Sequence, residues 1–521
     1  MSGTGTRPLR VVLIGYGPVG ARFVEELSPA VAAGRVELTV VGAETEDAYN
    51  RVLVAEYAVG AADRDRLEIT DTAAALAVGV VIRLGEAALS VDRLRQRVTV
   101  EGGDSIPYDR LVFATGARAN VPTLDGLQRS RRFRTDPLVS AGALDRGAAA
   151  LPRGVVAMRD LVDAAVVTPV VAAGGTIVVL GAGVLGMEFA LAAAEHGAEV
   201  VVVHHGEIPM ARNLDDHGGR MLAQASRRQG IGLASHSRAE GLLLRHDDDG
   251  VQRFDAVLCA DGKHIPGDLL VLSCGVGART ELASAAGLDC SAGILVGEDL
   301  RTWADPDIFA IGDCAQIASP EDRDAGGRVP GAPSGLIGPG WRQAAALARR
   351  FGGEAADGAT TPERPAVVML KATGIDVVSG GEHTTQPWVD ASADVSLWLD
   401  PARGGYLKTV VRDGTLAGFI AVGMPRAGAE LTLLFERGSE VPADPTVFLR
   451  LDAPTASSAA TSDPLAPDAT VCWCNGVTVA RISESMDAGS STVECVGRDT
   501  RAGTGCGGCK GRIAEILASA S

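Results

Sequence analysis

No cysteine precedes Cys259 in this chain of 521 residues. That absence excludes redox chemistry run by a thiol pair in the N-terminal part. Aromatic residues are scarce, at 4%, so the core must be built from small aliphatic side chains, as in α/β folds with close helix–sheet contacts. Positive charge is also short. With 48 Lys and Arg against 65 Asp and Glu, the net charge is −17, which argues against non-specific binding to nucleic acid and is compatible with docking to a basic surface. Long apolar runs are missing as well. The most apolar stretch, residues 161–186, is interrupted by Asp163, Thr168, Pro169 and several glycines, and is expected to form strand and turn rather than a membrane span. Residues 1–10 hold no apolar core of a secretory signal. The expectation is a cytoplasmic protein with no membrane segment.

What is abundant is glycine, 65 residues, in a chain long enough for three or four domains. Its placement is informative. Residues 10–14 are an apolar strand, followed by Gly15-Tyr-Gly17-Pro18-Val-Gly20, a helical pattern, a second strand at residues 37–41, and then Glu44. In this order glycines let the backbone approach a pyrophosphate, the helix N-terminus carries partial positive charge, and the acid suits a ribose hydroxyl. Tyr49 and Arg51 follow, in a stretch that could hold dinucleotide phosphates or be an ordinary surface loop. After Tyr108-Asp109, an apolar run ends in Ala114-Thr115-Gly116.

A second unit repeats the pattern. Residues 176–180 are a strand, Gly181-Ala-Gly183-Val184-Leu185-Gly186 is the turn, and a helix and another strand follow. Two such units imply two dinucleotides, and FAD with a nicotinamide is the usual pair. Glu188 either sits near the nicotinamide or is a plain acid in the first turns of the helix. His204, followed by His205, occupies the position where an acid would select NADH. No arginine marks a 2′-phosphate pocket, so NADH or NADPH stays open.

The thiols are concentrated at the end: Cys472, Cys474, Cys495, Cys506 and Cys509, of nine in the chain. Cys472-Trp-Cys474 and Cys506-Gly-Gly-Cys509 form two close pairs, with glycines available for tight turns. Four thiolates suit an iron–sulfur cluster or a structural zinc, and a disulfide framework is the remaining reading. Cys495 and Cys314 are expected to be packing residues. Before this cluster, residues 452–469 are rich in Ala, Pro, Ser, Thr and Asp and read as a linker, either flexible with a span of roughly 20–25 Å or a fixed extended tether. Asp413-Gly414 between strand-like runs marks a hairpin in a small α+β domain.

Several of these residues carry resemblances. Cys472, Cys474, Cys506 and Cys509 resemble the ligand pattern of the [2Fe–2S] domain of bacterioferritin-associated ferredoxin over about residues 470–521. Ala114-Thr115-Gly116 and the strand ending in Gly312-Asp313 resemble the FAD signatures of pyridine-nucleotide flavoprotein reductases. That likeness implies that Asp313 binds a ribityl hydroxyl and that the helix beginning near Gly340-Trp341 faces the flavin pyrimidine ring. Flavoprotein disulfide reductases share this layout, but they use an early cysteine that this chain lacks.

The order of segments, with residues 48–53 and 371–376, resembles the N-terminal half of large NADH-dependent nitrite reductases and the electron-transfer subunit of bacterial assimilatory nitrate reductase. The implied architecture is α/β. Residues 8–139 and 267–352 form an FAD domain, and 140–266 a Rossmann-type NAD(P) domain. Residues 360–451 form a rubredoxin-reductase-like α+β domain, followed by the linker and a [2Fe–2S] domain at 470–521. The implied FAD site comprises Gly15, Gly17, Pro18, Gly20, Glu44, Arg51, Ala114, Thr115, Gly116, Gly312 and Asp313. The NAD(P) site comprises Gly181, Gly183, Val184, Leu185, Gly186, Glu188 and His204. The implied activity carries electrons from NADH or NADPH through FAD and the cluster to a partner. Because the chain ends at Ser521 without sirohaem domains, the expected partner is a separate molybdenum nitrate reductase catalytic subunit. Nitrite reductase, ferredoxin or rubredoxin as acceptor, and a ferritin-like iron store as docking partner, are the alternatives.

Overall fold

The computed structural model describes residues 7–127, 151–324, 326–353, 367–442, 444–452, 466–467, 469–472, 475–504 and 509–519. The apolar strand Leu9–Ile14 lies in an eight-stranded sheet, parallel to Val36–Gly42 on one side and Arg110–Phe113 on the other. Asp305–Ala310 adds in parallel beyond Arg110–Phe113, so strands from before residue 114 and after residue 293 share one sheet. Strand residues buried on both faces, such as Leu13 and Val112, are what a parallel sheet covered by helices requires.

The second sheet is also parallel. Its order is Gly232–Ala234, Glu199–Val203, Thr176–Leu180, Leu269–Leu272, Val155–Val156. Leu269–Leu272 therefore belongs to the second unit, and the boundary drawn at residues 266 and 267 falls before the last strand of that sheet. All four residues of that strand are buried, and Ile177↔Leu269 sets its register against the central strand. The boundary drawn at residues 139 and 140 lies outside the described residues.

The apolar stretch from residue 161 begins as a helix, Leu161–Ala172, and only then becomes the strand Thr176–Leu180. The helix signal was the capping box: the Asp160 carboxylate accepts the Asp163 N–H, and the Asp163 carboxylate accepts the Asp160 N–H. Among the described residues, no helix is long and apolar enough to cross a membrane.

The third domain is a five-stranded antiparallel sheet ordered Val368–Ala372, Ile375–Gly381, Thr415–Val422, Gly405–Arg412, Asp394–Asp400, packed on the helix Pro425–Arg437. Asp413 and Gly414 turn its central hairpin with φ of 48° and 76°, the pair of positive angles a tight hairpin turn demands. Asp452, expected to open the linker, instead ends this domain. Its carboxylate accepts the N–H groups of Arg426 and Ala427 at 3.1 and 2.9 Å and so caps the helix Pro425–Arg437.

At the end of the chain, Thr470–Cys472 pairs with Val477–Thr478 beside the helices Val479–Asp487, Val493–Thr500 and Lys510–Ser519. Val471, Ile482, Val496, Ile513 and Ile516 form the core of this module. Cys495 is not part of that core. It is half-buried on the helix Val493–Thr500, with the Arg498 guanidinium 3.2 Å from its sulfur, because the helix turns Val496 rather than its neighbour inward.

Candidate functional site

The two glycine turns have the same construction. A Cβ on Gly15 would lie 2.3 Å from the Ala114 carbonyl oxygen, and one on Gly20 2.3 Å from the Gly15 oxygen. In the second unit the corresponding distances are 2.2 Å from Gly181 to Ser273 O and 2.2 Å from Gly186 to Gly181 O. The outer glycines of each turn thus let strand, return strand and helix close up. The middle glycines do something else. A Cβ on Gly183 would meet nothing within 4 Å, and one on Gly17 only Arg51 Nε at 3.7 Å. Each is the N-cap of its helix, Pro18–Ala32 and Val184–Glu195, with no side-chain cap and no acid in the first turn. Two helix N-termini with open amides therefore point at unfilled space, which is the arrangement that receives a phosphate.

That space is one cleft of about 2840 Å³. Of the residues singled out from sequence, Gly15, Gly17, Pro18, Glu44, Arg51, Ala114, Thr115, Gly116, Gly312 and Asp313 line it, as do Gly183, Val184, Leu185, Glu188 and Cys509. Gly20, Gly181 and Gly186 stand behind it as packing positions. His204 does not line it. Its ring is buried with Nε2 3.0 Å from Ser235 Oγ, and burial pushes its pKa down.

Two ion pairs stand in the cleft wall. Arg51 forms an ion pair with Glu44 and stacks 4.9 Å from the centre of the Tyr49 ring, while the Tyr49 hydroxyl donates to Glu44 at 3.1 Å. Burial opposes the Arg51 charge, and Glu44 outweighs it. Asp313 is held by Arg159 at 3.1 Å. Arg159 was missed in the sequence, although it directly precedes the Asp160 capping box that would have marked the start of a helix. Its Nε is buried with no partner, and burial lowers its pKa. Burial, and then Asp160, push the neighbouring Asp163 carboxyl up to about 7. Gly312 donates its N–H to Gln343 Oε1 at 2.7 Å and Trp341 Nε1 donates to Pro18 O at 3.1 Å. These two bonds tie the helix Ile337–Phe351 to both signatures of the first unit.

Residues 9–333 match the family model described as pyridine nucleotide-disulphide oxidoreductase. The chain belongs to that family. Residues 470–519 match the BFD-like [2Fe-2S] binding domain. The family site is built for FAD and NAD(P)H, and the C-terminal domain for a [2Fe–2S] cluster. A nitrite reductase [NAD(P)H] of Bacillus subtilis is 27% identical over 98% of this chain and 57% of its own length. The assimilatory nitrate reductase electron transfer subunit of the same organism is 27% identical over 98% of this chain and 59% of its own. The chain therefore spans just over half the length of these relatives, and length does not separate one from the other. The putidaredoxin reductase–putidaredoxin complex shares the fold, with a TM-score of 0.67 over 85% of this chain and 96% of that one at 22% identity.

Of the four cysteines expected to ligate the cluster, Cys474 and Cys506 lie outside the described residues. Cys472 and Cys509 are both buried in the core of the module and face each other. The Cys472 thiol is pushed down to about 6, first by its contact with Cys509 and further by the N–H groups of Gly503 and Asn475, against the effect of burial. Asn475 Nδ2 lies 3.7 Å from its sulfur. A buried sulfur that favours the thiolate fits a metal ligand.

Proposed function

We propose that this chain is a flavoprotein electron carrier that takes electrons from NADH or NADPH and passes them, through FAD and a [2Fe–2S] cluster, to a separate acceptor. The observation that carries the reading is one cleft lined by residues of both glycine turns, by Asp313 and by Cys509. Bound FAD supplies a two-electron acceptor for a hydride, and a [2Fe–2S] cluster supplies one-electron transfer. The residues of the chain position these groups. Gly15, Gly17 and the helix N-terminus behind them would hold the FAD pyrophosphate, with Gly20 closing helix on strand and Glu44 and Arg51 at the adenosine end. Arg159 would fix Asp313 for the ribityl chain, and Thr115 and Gly116 would floor the flavin. Gly183 and the N-terminus of its helix would hold the nicotinamide pyrophosphate, with Glu188 at the mouth. Cys472, Cys474, Cys506 and Cys509 would ligate the cluster.

The acceptor proposed first is a separate molybdenum catalytic subunit of assimilatory nitrate reductase, in line with the relative named as an electron transfer subunit. A nitrite reductase is the second reading, supported by a relative equally similar over the same 98% of the chain. Turnover of each purified acceptor with NADH and NADPH decides between them. Analysis of the purified protein should find one FAD, with iron and acid-labile sulfide in a ratio of one to one. Zinc without labile sulfide would end the cluster reading.

Gly183→Leu tests the division of labour between the two units. Its φ of −75° and the open space at its Cβ allow the larger side chain without strain in the fold. The variant should keep its FAD. Its nicotinamide binding should weaken by roughly 1–3 kcal/mol, or about 5- to 150-fold, as for overpacking a fitted site. Loss of FAD with unchanged nicotinamide binding would reverse the assignment.

A further inference from the structure

Among the described residues, the loop 501–504 of the C-terminal module contacts the first dinucleotide unit. Arg501 ends the helix Val493–Thr500 in a left-handed conformation, φ 66°, with its N–H on the Gly497 carbonyl at 2.8 Å. That geometry turns its side chain out of the module toward the helix Pro18–Ala32, where it pairs with Glu25 and lies 4.0 Å from Glu26. Glu26 is itself held by Arg22 at 2.7 Å. Three residues on, the Thr504 carbonyl accepts from Asn50 Nδ2 at 3.4 Å, and Asn50 is the N-cap of the short turn that carries Arg51. The same loop is tied inward. Asn475 Nδ2, which faces the Cys472 sulfur, donates to the Arg501 carbonyl at 2.6 Å. One asparagine thus joins a cluster thiol to the residue that docks the module.

We propose that residues 470–519 dock on the first dinucleotide unit through a releasable electrostatic latch, Arg501 on Glu25 and Glu26, that holds the cluster loop at the rim of the flavin cleft. The inference deepens the reading above by naming the surface on which the cluster module rests, and it replaces a freely swinging tether with a docked state. The magnitude makes the latch releasable. Glu25 keeps half its side chain in solvent, and an exposed ion pair biases an equilibrium by about fivefold at most. Salt screens it further, since the Debye length falls from about 10 Å at ~0.1 M to about 3 Å at ~1 M.

The test uses the full-length holoprotein in four forms: wild type, Glu25→Lys, Arg501→Glu, and the swap Glu25→Arg with Arg501→Glu. Small-angle scattering reports the radius of gyration, and hydrogen exchange reports protection of residues 501–504. At low salt both single variants should expand and lose that protection, with the ratio of open to docked forms rising about two- to fivefold. The swap should return both readouts toward wild type, and salt at about 1 M should move wild type toward the single variants. Unchanged scattering and exchange in the single variants, or a swap no more compact than they are, would overturn the latch. Iron and labile sulfide are assayed on the same samples. Their absence counts against the cluster reading alone, and the scattering still decides the docking.

Discussion

Replacing Lys408 by methionine should destabilise the protein by about 3–5 kcal/mol, the usual effect of stranding one member of a buried ion pair. The Lys408 side chain is 0% exposed and that of Asp215 4%, and they meet at 2.9 Å. The lysine also donates to the His383 carbonyl at 2.7 Å, and Tyr406 donates its hydroxyl to the same aspartate oxygen at 2.7 Å. Asp215 belongs to the second unit, where it caps the helix Asp216–Arg228 through the Gly218 N–H at 3.0 Å. Lys408 and Tyr406 belong to the sheet of the third domain, so the pair fastens one domain to the other. The double variant Asp215→Asn, Lys408→Met should recover part of the loss, because neither charge is then left alone.

The pair also sets an acid limit. Burial opposes ionisation of Asp215, but the Gly218 N–H, Tyr406 and Lys408 outweigh it and hold the carboxyl below its usual range. A depressed carboxyl contributes stability that is present above the unfolded value of about 3.9 and is lost as the pH falls through the folded value. Denaturant midpoints measured across that acid range should fall for wild type, and fall less for Lys408→Met. Equal slopes in the two proteins would remove Asp215 as a source of acid sensitivity.

The second large effect is on electron delivery. A chain cut after Thr455 keeps Asp452, and with it the cap of the helix Pro425–Arg437. A cut at Leu451 would forfeit that cap at a cost of about 1 kcal/mol. The shortened protein should fold, since each Rossmann unit and the third domain has a hydrophobic cluster formed ahead of the cut, and the core they share is also kept whole. It should reduce a small dye with NAD(P)H at a near-normal rate and fail entirely to drive the physiological acceptor. Cys506→Ser should behave in the same way, because a hydroxyl is a poor substitute for a thiolate ligand. Full acceptor turnover by the shortened chain would take the cluster off the pathway.

The sequence determined whatever depends on neighbours along the chain. The two glycine turns could be read because their spacing is a local rule. A strand, a turn and a helix must close within a few residues, and the 2.2–2.3 Å approaches at Gly15, Gly20, Gly181 and Gly186 leave no room for another residue. The Asp413-Gly414 turn and the thiol pairs at the end of the chain were legible for the same reason. Tertiary structure decided what depends on partners brought from far away. Arg159 reaches Asp313 across 154 residues, Lys408 reaches Asp215 across 193, and Asn50 reaches Thr504 across 454. No periodicity encodes such pairs, because they arise from how the sheets are stacked. His204 is a further case: the strand Gly232–Ala234 beside it brings Ser235 to its ring, a contact that its place in the chain did not show.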